Sequence, residues 1–189
     1  MFLMAKTINF CGDSFCANES DASWIAQLAS KLEARVLGTG NDGTAHEHSI
    51  KSFDPQADVT IFCWTEASRI YHPTHPLNLS SCTLYCTKDQ IYEAGLQFYQ
   101  HIHDLAYFRT RQMRDLYWFD HEILSQYKGI AISLWSFDKT YQFTNAHNFA
   151  LPPLKSLSNR AQGKINHMNE SMNQLLAKKL NNFIRSLHG

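Results

Sequence analysis

Ser14 is the first residue of this chain whose type and position suggest chemistry. It lies in the stretch INFCGDSFC, where an apolar run ends in the turn Gly12-Asp13-Ser14. Acyl transfer at a serine needs a hydroxyl that attacks, a base that takes its proton, and fixed donors that hold the developing oxyanion. A sharp turn at the end of a strand exposes a hydroxyl to an incoming carbonyl group. Ser14 is therefore a candidate nucleophile, and the chain must supply its partners elsewhere.

A base for Ser14 must come from the ten histidines of the chain. His167 is the strongest candidate because it lies in NHMNESMNQLLAKKL, just before a predicted helix that would hold it while leaving its ring free. His46 and His48, which flank Glu47, are better interpreted as solvated or core-edge residues. No histidine pair has convincing metal-ligand spacing, so a metal-dependent hydrolase is the least favoured interpretation. We expect no metal and no cofactor.

Two further positions can stabilise negative charge on an acyl oxygen. Gly43 belongs to a glycine-rich segment, 38–43, that follows the second predicted strand. Its backbone amide can approach a substrate without a Cβ in the way, although a glycine there also suits a turn with positive φ. Thr65 directly follows the third predicted strand and offers a hydroxyl donor. Its alternative role is to cap the following turn, as threonines at strand ends often do.

These candidates must be positioned by the elements that precede them. Apolar and β-branched runs predict strands over 6–11, 35–40, 58–64 and 129–135. Apolar residues at helical spacing predict helices over 22–34 and 89–127, the latter as one helix or two with a break, and a final helix containing 172–187. Proline-containing loops are predicted over 72–81 and 150–164.

The alternation of strands and helices predicts the fold class. Continuously apolar strands that alternate with helices are typical of a parallel sheet covered on both faces, which here gives a three-layer α/β/α sandwich. Binding sites in such sheets lie beyond the carboxyl ends of the strands. Ser14, Gly43 and Thr65 all follow predicted strands, so we expect them at the same edge of the sheet.

The composition limits the class of protein. A chain of 189 residues fits one domain spanning 1–189. Its formal net charge is zero, so no basic field favours nucleic acid or an anionic membrane as a partner. The first apolar stretch is short, interrupted and not preceded by basic residues, so we expect neither a signal peptide nor a membrane anchor, and a cytoplasmic location. The odd number of cysteines, five, predicts free thiols.

The order of these motifs resembles the SGNH (GDSL-type) hydrolase superfamily over nearly the whole chain. GDSF, the glycine-rich segment and NHMNESMNQLLAKKL follow the order of its motifs, with Asn169 in place after the histidine. The resemblance implies a flavodoxin-like fold in which Ser14 is the nucleophile and His167 the general base. It maps the oxyanion glycine to Gly43, with Gly40 as the alternative. The implied substrates are small acyl esters, such as O-acetyl groups on carbohydrate.

Three positions differ from the usual pattern of that superfamily. Lys164 stands where an aspartate usually precedes the histidine by three residues, and Met172 replaces a usual glycine. The usual Gly-x-Asn-Asp motif is replaced by CWTEASRI, in which Thr65 can donate a hydrogen bond but ionised Glu66 can only accept. Two hypotheses remain open: a serine ester hydrolase with a serine–histidine dyad, or a non-catalytic binding or structural protein on the same fold.

Overall fold

A parallel sheet forms the centre of the protein in the computed structural model, which describes residues 7–17, 20–158 and 165–187. Its strands are β1 (Thr7–Gly12), β2 (Arg35–Gly38), β3 (Val59–Trp64), β4 (Ile130–Trp135) and β5 (His147–Asn148). They lie in the order β2-β1-β3-β4-β5, and every neighbouring pair is parallel. This is the order of flavodoxin-like doubly wound sheets, in which ligands bind at the switch point between β1 and β3.

The central strand β3 is buried along its whole length because both faces of the sheet are covered. Its alternate side chains point to opposite faces: Ile61 and Cys63 join one apolar cluster, and Phe62 and Trp64 join the other. On one side β3 pairs with β1, placing Gly12 beside Cys63, and on the other side it pairs with β4. The carboxyl ends of these three strands therefore meet at one edge.

Helical layers lie on both faces of the sheet. The described helices are α1 (Trp24–Leu32), α2 (His46–Lys51), α3 (Leu79–Tyr85), α4 (Gln90–His101), α5 (Leu105–Trp118), α6 (Leu154–Leu157) and α7 (Glu170–Leu187). On one face, Trp24 of α1 and Leu180 of α7 pack against the sheet. On the other, Leu116 of α5 and Phe119 of the π-helical turn that follows it cover Phe62. The predicted α/β/α sandwich with a parallel sheet is confirmed.

The segment 89–127 forms two helices with a break, one of the two alternatives that its sequence allowed. Helix α4 ends at His101, and Asp104 caps α5 by accepting hydrogen bonds from the amides of Ala106 and Tyr107. A capping aspartate so soon after a helix end starts a new helix. The second helix continues into the π-helical turn and then a 3-10 turn that ends at Gln126.

Four short elements were not predicted. Helix α2 has the sequence HEHSIK, which lacks an apolar period, and α3 begins inside the predicted loop 72–81 because Asn78 caps it. Strand β5 is only two residues long. Within the predicted loop 150–164, α6 forms a single turn, and 159–164 lie outside the described residues. In the described part of the chain, no helix combines the length and apolarity needed to cross a membrane.

Candidate active site

The turn that carries Ser14 begins where β1 ends. Asp13 caps a single 3-10 turn, and its carboxylate accepts a hydrogen bond of 3.1 Å from the Phe15 amide. A glycine is required at position 12 because a Cβ on Gly12 would lie 2.6 Å from Cys16 Sγ. The chain therefore leaves the sheet sharply and places Ser14, half-buried, at the carboxyl edge.

His167 lies within hydrogen-bonding distance of Ser14. Its Nε2 is 2.7 Å from Ser14 Oγ, although the two residues are 153 positions apart in the chain. The exposed imidazole also packs against the ring of Phe15, with the ring centroids 4.8 Å apart. The structure thus brings together the two residues that the sequence singled out as nucleophile and base.

Asn166 connects the histidine turn to the serine turn. Asn166 and His167 both adopt left-handed backbone conformations, with φ of 51° and 60°, so the chain reverses tightly before α7. The Asn166 side chain is fully buried, and its Nδ2 donates hydrogen bonds to the carbonyl oxygens of Ser14, at 3.2 Å, and Ala17. Sequence reasoning missed this residue, because an asparagine beside a histidine gives no sign of the carbonyls it will meet.

The orientation of the His167 ring does not depend on a carboxylate in the described part of the chain. No described aspartate or glutamate contacts either ring nitrogen; the described contacts are Ser14 Oγ and the Phe15 ring. Lys164, which stands at the position of the usual aspartate, lies outside the described residues. The left-handed turn and the Phe15 ring are therefore the described features that hold the imidazole.

Gly40 and Gly43, the two alternatives for the oxyanion donor, have different surroundings. The Gly40 amide donates a hydrogen bond of 2.9 Å to the Cys16 carbonyl, and a Cβ on Gly40 would lie 2.5 Å from the Asp13 carbonyl oxygen. Gly40 thus packs its loop against the serine turn. Gly43 has a φ of 68°, and its amide donates no hydrogen bond to any described residue. Of the two amides, that of Gly43 is the one without a described hydrogen-bond partner, and its neighbours in space are Asn78 and Pro76.

Thr65 follows β3 directly and is almost completely buried, with 1% of its surface exposed. Its carbonyl oxygen accepts a hydrogen bond of 2.9 Å from Gln112 Nε2. Its Oγ1 has no hydrogen-bond partner among the described residues, although most buried hydroxyl groups have one. The Thr65 hydroxyl is therefore an unpaired donor that is enclosed by protein at the end of β3.

Polar groups around Asp13 were also missed from the sequence. Ser136, directly after β4, donates a hydrogen bond of 2.8 Å to Asp13 Oδ1, and Arg69 Nη1 lies 3.5 Å from Asp13 Oδ2. The stretch TEASR held a partial signal because Glu66 and Arg69 are three residues apart and form an ion pair of 3.2 Å. Nothing in that spacing indicates that the arginine is buried beneath the edge of the sheet.

A cavity of about 420 Å³ opens next to these groups. Glu66, from the loop after β3, and Phe137, from the loop after β4, contribute to its wall together with side chains of α5 and α6. The Phe137 ring packs edge-on against Phe15, with centroids 5.9 Å apart, and Phe15 contacts the His167 ring. The cavity wall is therefore linked to the His167 ring through two aromatic rings in contact, Phe137 and Phe15.

Three cysteines lie in or beside the serine turn, all completely buried. Burial raises the pKa of the Cys11 thiol to about 12, and it also raises the pKa of Cys16 and of Cys63. These thiols stay protonated at neutral pH, whereas the thiolate is the reactive form of cysteine. These three cysteines are therefore poor candidates for a nucleophile, and Ser14 remains the candidate at this edge.

His46, Glu47 and Asp115 form the one described cluster whose side chains have the spacing of metal ligands. Glu47 lies 3.3 Å from Nδ1 of His46, and Asp115 lies 3.2 Å from Nε2, so the two carboxylates contact different ring nitrogens. Arg111 pairs with Glu47 at 2.7 Å, and Arg114 pairs with Asp115 at 3.2 Å. Each carboxylate of the cluster therefore already has an arginine as a cationic partner.

Comparison of the chain with protein-family models, curated proteins and solved structures found no match. The resemblance to SGNH hydrolases consequently rests on the motifs in the sequence. What the chain does must be argued from the geometry of its own side chains.

Proposed function

We propose that this protein is a serine ester hydrolase in which Ser14 attacks the acyl carbonyl and His167 acts as the general base. The observation that carries the proposal is the distance of 2.7 Å between His167 Nε2 and Ser14 Oγ. A nucleophile and a base within hydrogen-bond reach are the minimum arrangement for covalent acyl transfer. The position of the pair beside the β1/β3 switch point, where doubly wound sheets bind ligands, supports it further.

The proposed reaction has two halves. In the tautomer protonated at Nδ1, His167 Nε2 accepts the Ser14 proton as Oγ bonds to the carbonyl carbon, and the same proton then passes to the departing alcohol. Water next gives a proton to His167 and attacks the acyl-serine, which releases the acid and restores Ser14. The backbone amides of Ser14 and Gly43 and the hydroxyl of Thr65 are the proposed donors to the oxyanion in both halves.

The proposed substrates are small acyl esters. A cavity of about 420 Å³, whose wall includes Phe137 but neither member of the pair, is at the low end of the range for ligand sites, roughly 300–1,000 Å³. Its wall combines apolar side chains with the charged groups of Glu66, Arg109, Asp138 and Lys155, which suits a polar alcohol portion. O-acetylated carbohydrate is the proposed natural class because of the SGNH resemblance alone.

Labelling with a fluorophosphonate probe tests the proposal, with the adduct located by mass spectrometry. We expect one adduct, on Ser14, and its loss in both Ser14→Ala and His167→Ala. Hydrolysis of p-nitrophenyl acetate should fall in the same variants. Ser30→Ala and His101→Ala are matched controls because both side chains are exposed on helices away from the serine turn, and they should behave as the unmodified protein does.

A non-catalytic binding protein is the second candidate. It is favoured by the absence of a carboxylate partner for His167 among the described residues. This candidate predicts no labelling of Ser14 and no difference in p-nitrophenyl acetate turnover between the unmodified protein and Ser14→Ala. That pair of results would overturn the hydrolase proposal.

A further inference from the structure

Arg69 is a buried arginine beneath the serine turn, with only 6% of its surface exposed. Its Nη1 lies 3.5 Å from Asp13 Oδ2 and donates a hydrogen bond of 3.2 Å to the Thr44 carbonyl oxygen. Its Nε pairs with Glu66 at 3.2 Å, and its guanidinium carbon lies 5.1 Å from the centroid of the Phe137 ring. One side chain thus joins the ends of β1 and β3 to the loop that carries Gly43.

The buried carboxylate of Asp13 needs a positive charge beside it, and Arg69 provides one. Its carboxylate is completely buried, and Oδ1 accepts hydrogen bonds from the Phe15 amide and from Ser136. Oδ2 has no described hydrogen-bond donor, which leaves the guanidinium of Arg69 as its described cationic neighbour. A buried carboxylate without a compensating charge is strongly unfavourable.

The charge of Asp13 also bears on the chemistry proposed for Ser14, the next residue. Negative charge that develops on the substrate at Ser14 would be repelled by an uncompensated carboxylate so close by, and such repulsion is strong where water is excluded. The Arg69 guanidinium, 3.5 Å from that carboxylate, offsets the repulsion. The same guanidinium holds the Thr44 carbonyl, which follows directly on Gly43.

We infer that Arg69 is a positioning residue of this site: it compensates the charge of Asp13 and fixes the Gly43–Thr44 segment against the serine turn. This inference rests on the proposed hydrolase function. Both effects act on the transition state, in which the oxyanion exists, more than on the bound substrate. Loss of Arg69 should therefore lower kcat for p-nitrophenyl acetate and leave KM nearly unchanged.

The charge-compensation part is tested by a double-mutant cycle with Asp13→Asn, a substitution that keeps a capping side chain. Arg69→Met should slow fluorophosphonate labelling of Ser14 by about 10²-fold, the size expected when one electrostatic contribution to an oxyanion site is lost. Asp13→Asn combined with Arg69→Met places a neutral amide beside a neutral side chain. The double variant should label at least about tenfold faster than Arg69→Met alone, because the repulsive charge is gone.

Arg69→Lys separates charge from geometry. It restores the positive charge but not the planar group that reaches Asp13, Thr44 and Glu66 together, so labelling should recover in part. Arg114→Met is the matched control because Arg114 is an ion-paired arginine with 73% of its side chain exposed. If circular dichroism shows that Arg69→Met does not fold, Arg69→Lys and the charge-neutral double variant still test the inference.

The outcomes distinguish this inference from the proposal on which it rests. Ser14 unlabelled in the unmodified protein overturns both. If Ser14 is labelled in the unmodified protein and is labelled at the same rate in Arg69→Met, only the role of Arg69 is overturned. A loss for Arg69→Met that is equally large with and without Asp13→Asn overturns charge compensation, and an increase in KM with unchanged kcat contradicts action on the transition state.

Discussion

Asn166 Nδ2 donates a hydrogen bond of 3.2 Å to the carbonyl oxygen of Ser14, so the turn that carries the proposed base is attached to the turn that carries the proposed nucleophile. A second hydrogen bond from the same nitrogen reaches the Ala17 carbonyl. Side-chain donors that bridge two turns fix their relative position more firmly than apolar packing alone, because hydrogen bonds are directional. Asn166 thus links the turn that carries His167 to the turn that carries Ser14.

Asn166→Ala should therefore slow fluorophosphonate labelling of Ser14 by about 10²-fold, the effect expected when reacting groups are displaced by about an ångström. The substitution removes both bridging hydrogen bonds without replacing either Ser14 or His167. Labelling rates and circular dichroism are the measurements. Asn182→Ala, at an exposed position of α7, is the control, and an unchanged rate in Asn166→Ala would show that the turn holds its own position.

Thr65→Val should lower kcat for p-nitrophenyl acetate by about 10²-fold, because it removes one proposed donor to the oxyanion. The thermal midpoint should stay the same or rise, since the Thr65 hydroxyl has no described hydrogen-bond partner to lose. Steady-state kinetics and calorimetry measure the two effects separately. Normal turnover in this variant would remove Thr65 from the site.

Thr60→Val provides the matched comparison, on the strand that Thr65 directly follows. The buried Thr60 hydroxyl forms a hydrogen bond of 3.1 Å with the Tyr127 hydroxyl. Its removal should reduce the free energy of unfolding by about 1 kcal/mol and leave turnover unchanged. Thr65→Val is thus expected to lower turnover without lowering stability, and Thr60→Val to lower stability without lowering turnover.

Gly43→Ala should destabilise the loop beside the serine turn. A left-handed conformation costs about 1–2 kcal/mol for a residue with a Cβ, and Gly43 has a φ of 68°. The new Cβ would also lie 2.7 Å from Asn78 Nδ2 and 2.8 Å from Pro76 Cβ. Urea unfolding should show the loss, and labelling of Ser14 should slow. The neighbouring exposed Asp42→Ala is the control, and equal stability of the two variants would contradict the strain.

The free energy of unfolding should vary with pH in the acid range because of the Asp115 carboxyl. Burial raises the pKa of its carboxyl, but hydrogen bonds and charges from His46 and Arg114 outweigh burial and lower the pKa below the ordinary value of 3.8. Because the pKa of Asp115 is lower in the folded than in the unfolded protein, the ionised carboxyl stabilises the fold above pH 3.8. This stabilisation is lost as the pH falls through the folded pKa. Asp115→Asn should therefore reduce the free energy of unfolding near neutral pH.

That difference should shrink toward zero in strong acid, where the carboxyl is protonated in both states of the unmodified protein. Urea unfolding across the acid range measures it, with the exposed Asp21→Asn as the control. A difference that stays constant with pH would mean that Asp115 acts through packing and not through its charge.

The fold was predictable where a single stretch of sequence determines the element. The strands β3 and β4 are continuous apolar runs, and the helices α1 and α7 have apolar stripes at helical spacing. The sequence of each of these elements therefore shows by itself which residues will be buried. Helix α2 lacks such a stripe, and β5 is too short to show a period. Both of these depend on contacts with other elements, which local patterns do not contain.

The site was predictable only for residues that stand in recognisable motifs at strand or helix ends. Ser14 and His167 could be paired from their motifs, and the structure places them together. Asn166, Ser136 and Arg69 could not be found in this way. Their roles come from hydrogen bonds and ion pairs with residues far away in the chain, and an asparagine, serine or arginine in a polar stretch looks the same whether it is buried or exposed.

The separation of 153 positions between Ser14 and His167 has a kinetic consequence. Contacts between distant parts of a chain form late in folding because loop-closure entropy opposes them. The hydrogen bond of 2.9 Å from the Trp24 amide to Asn173 Oδ1 likewise joins α1 to α7 across 149 positions. During refolding, we therefore expect the helical signal in circular dichroism to return before the reactivity of Ser14 toward the fluorophosphonate probe. Labelling of Ser14 would then report when the whole chain has folded.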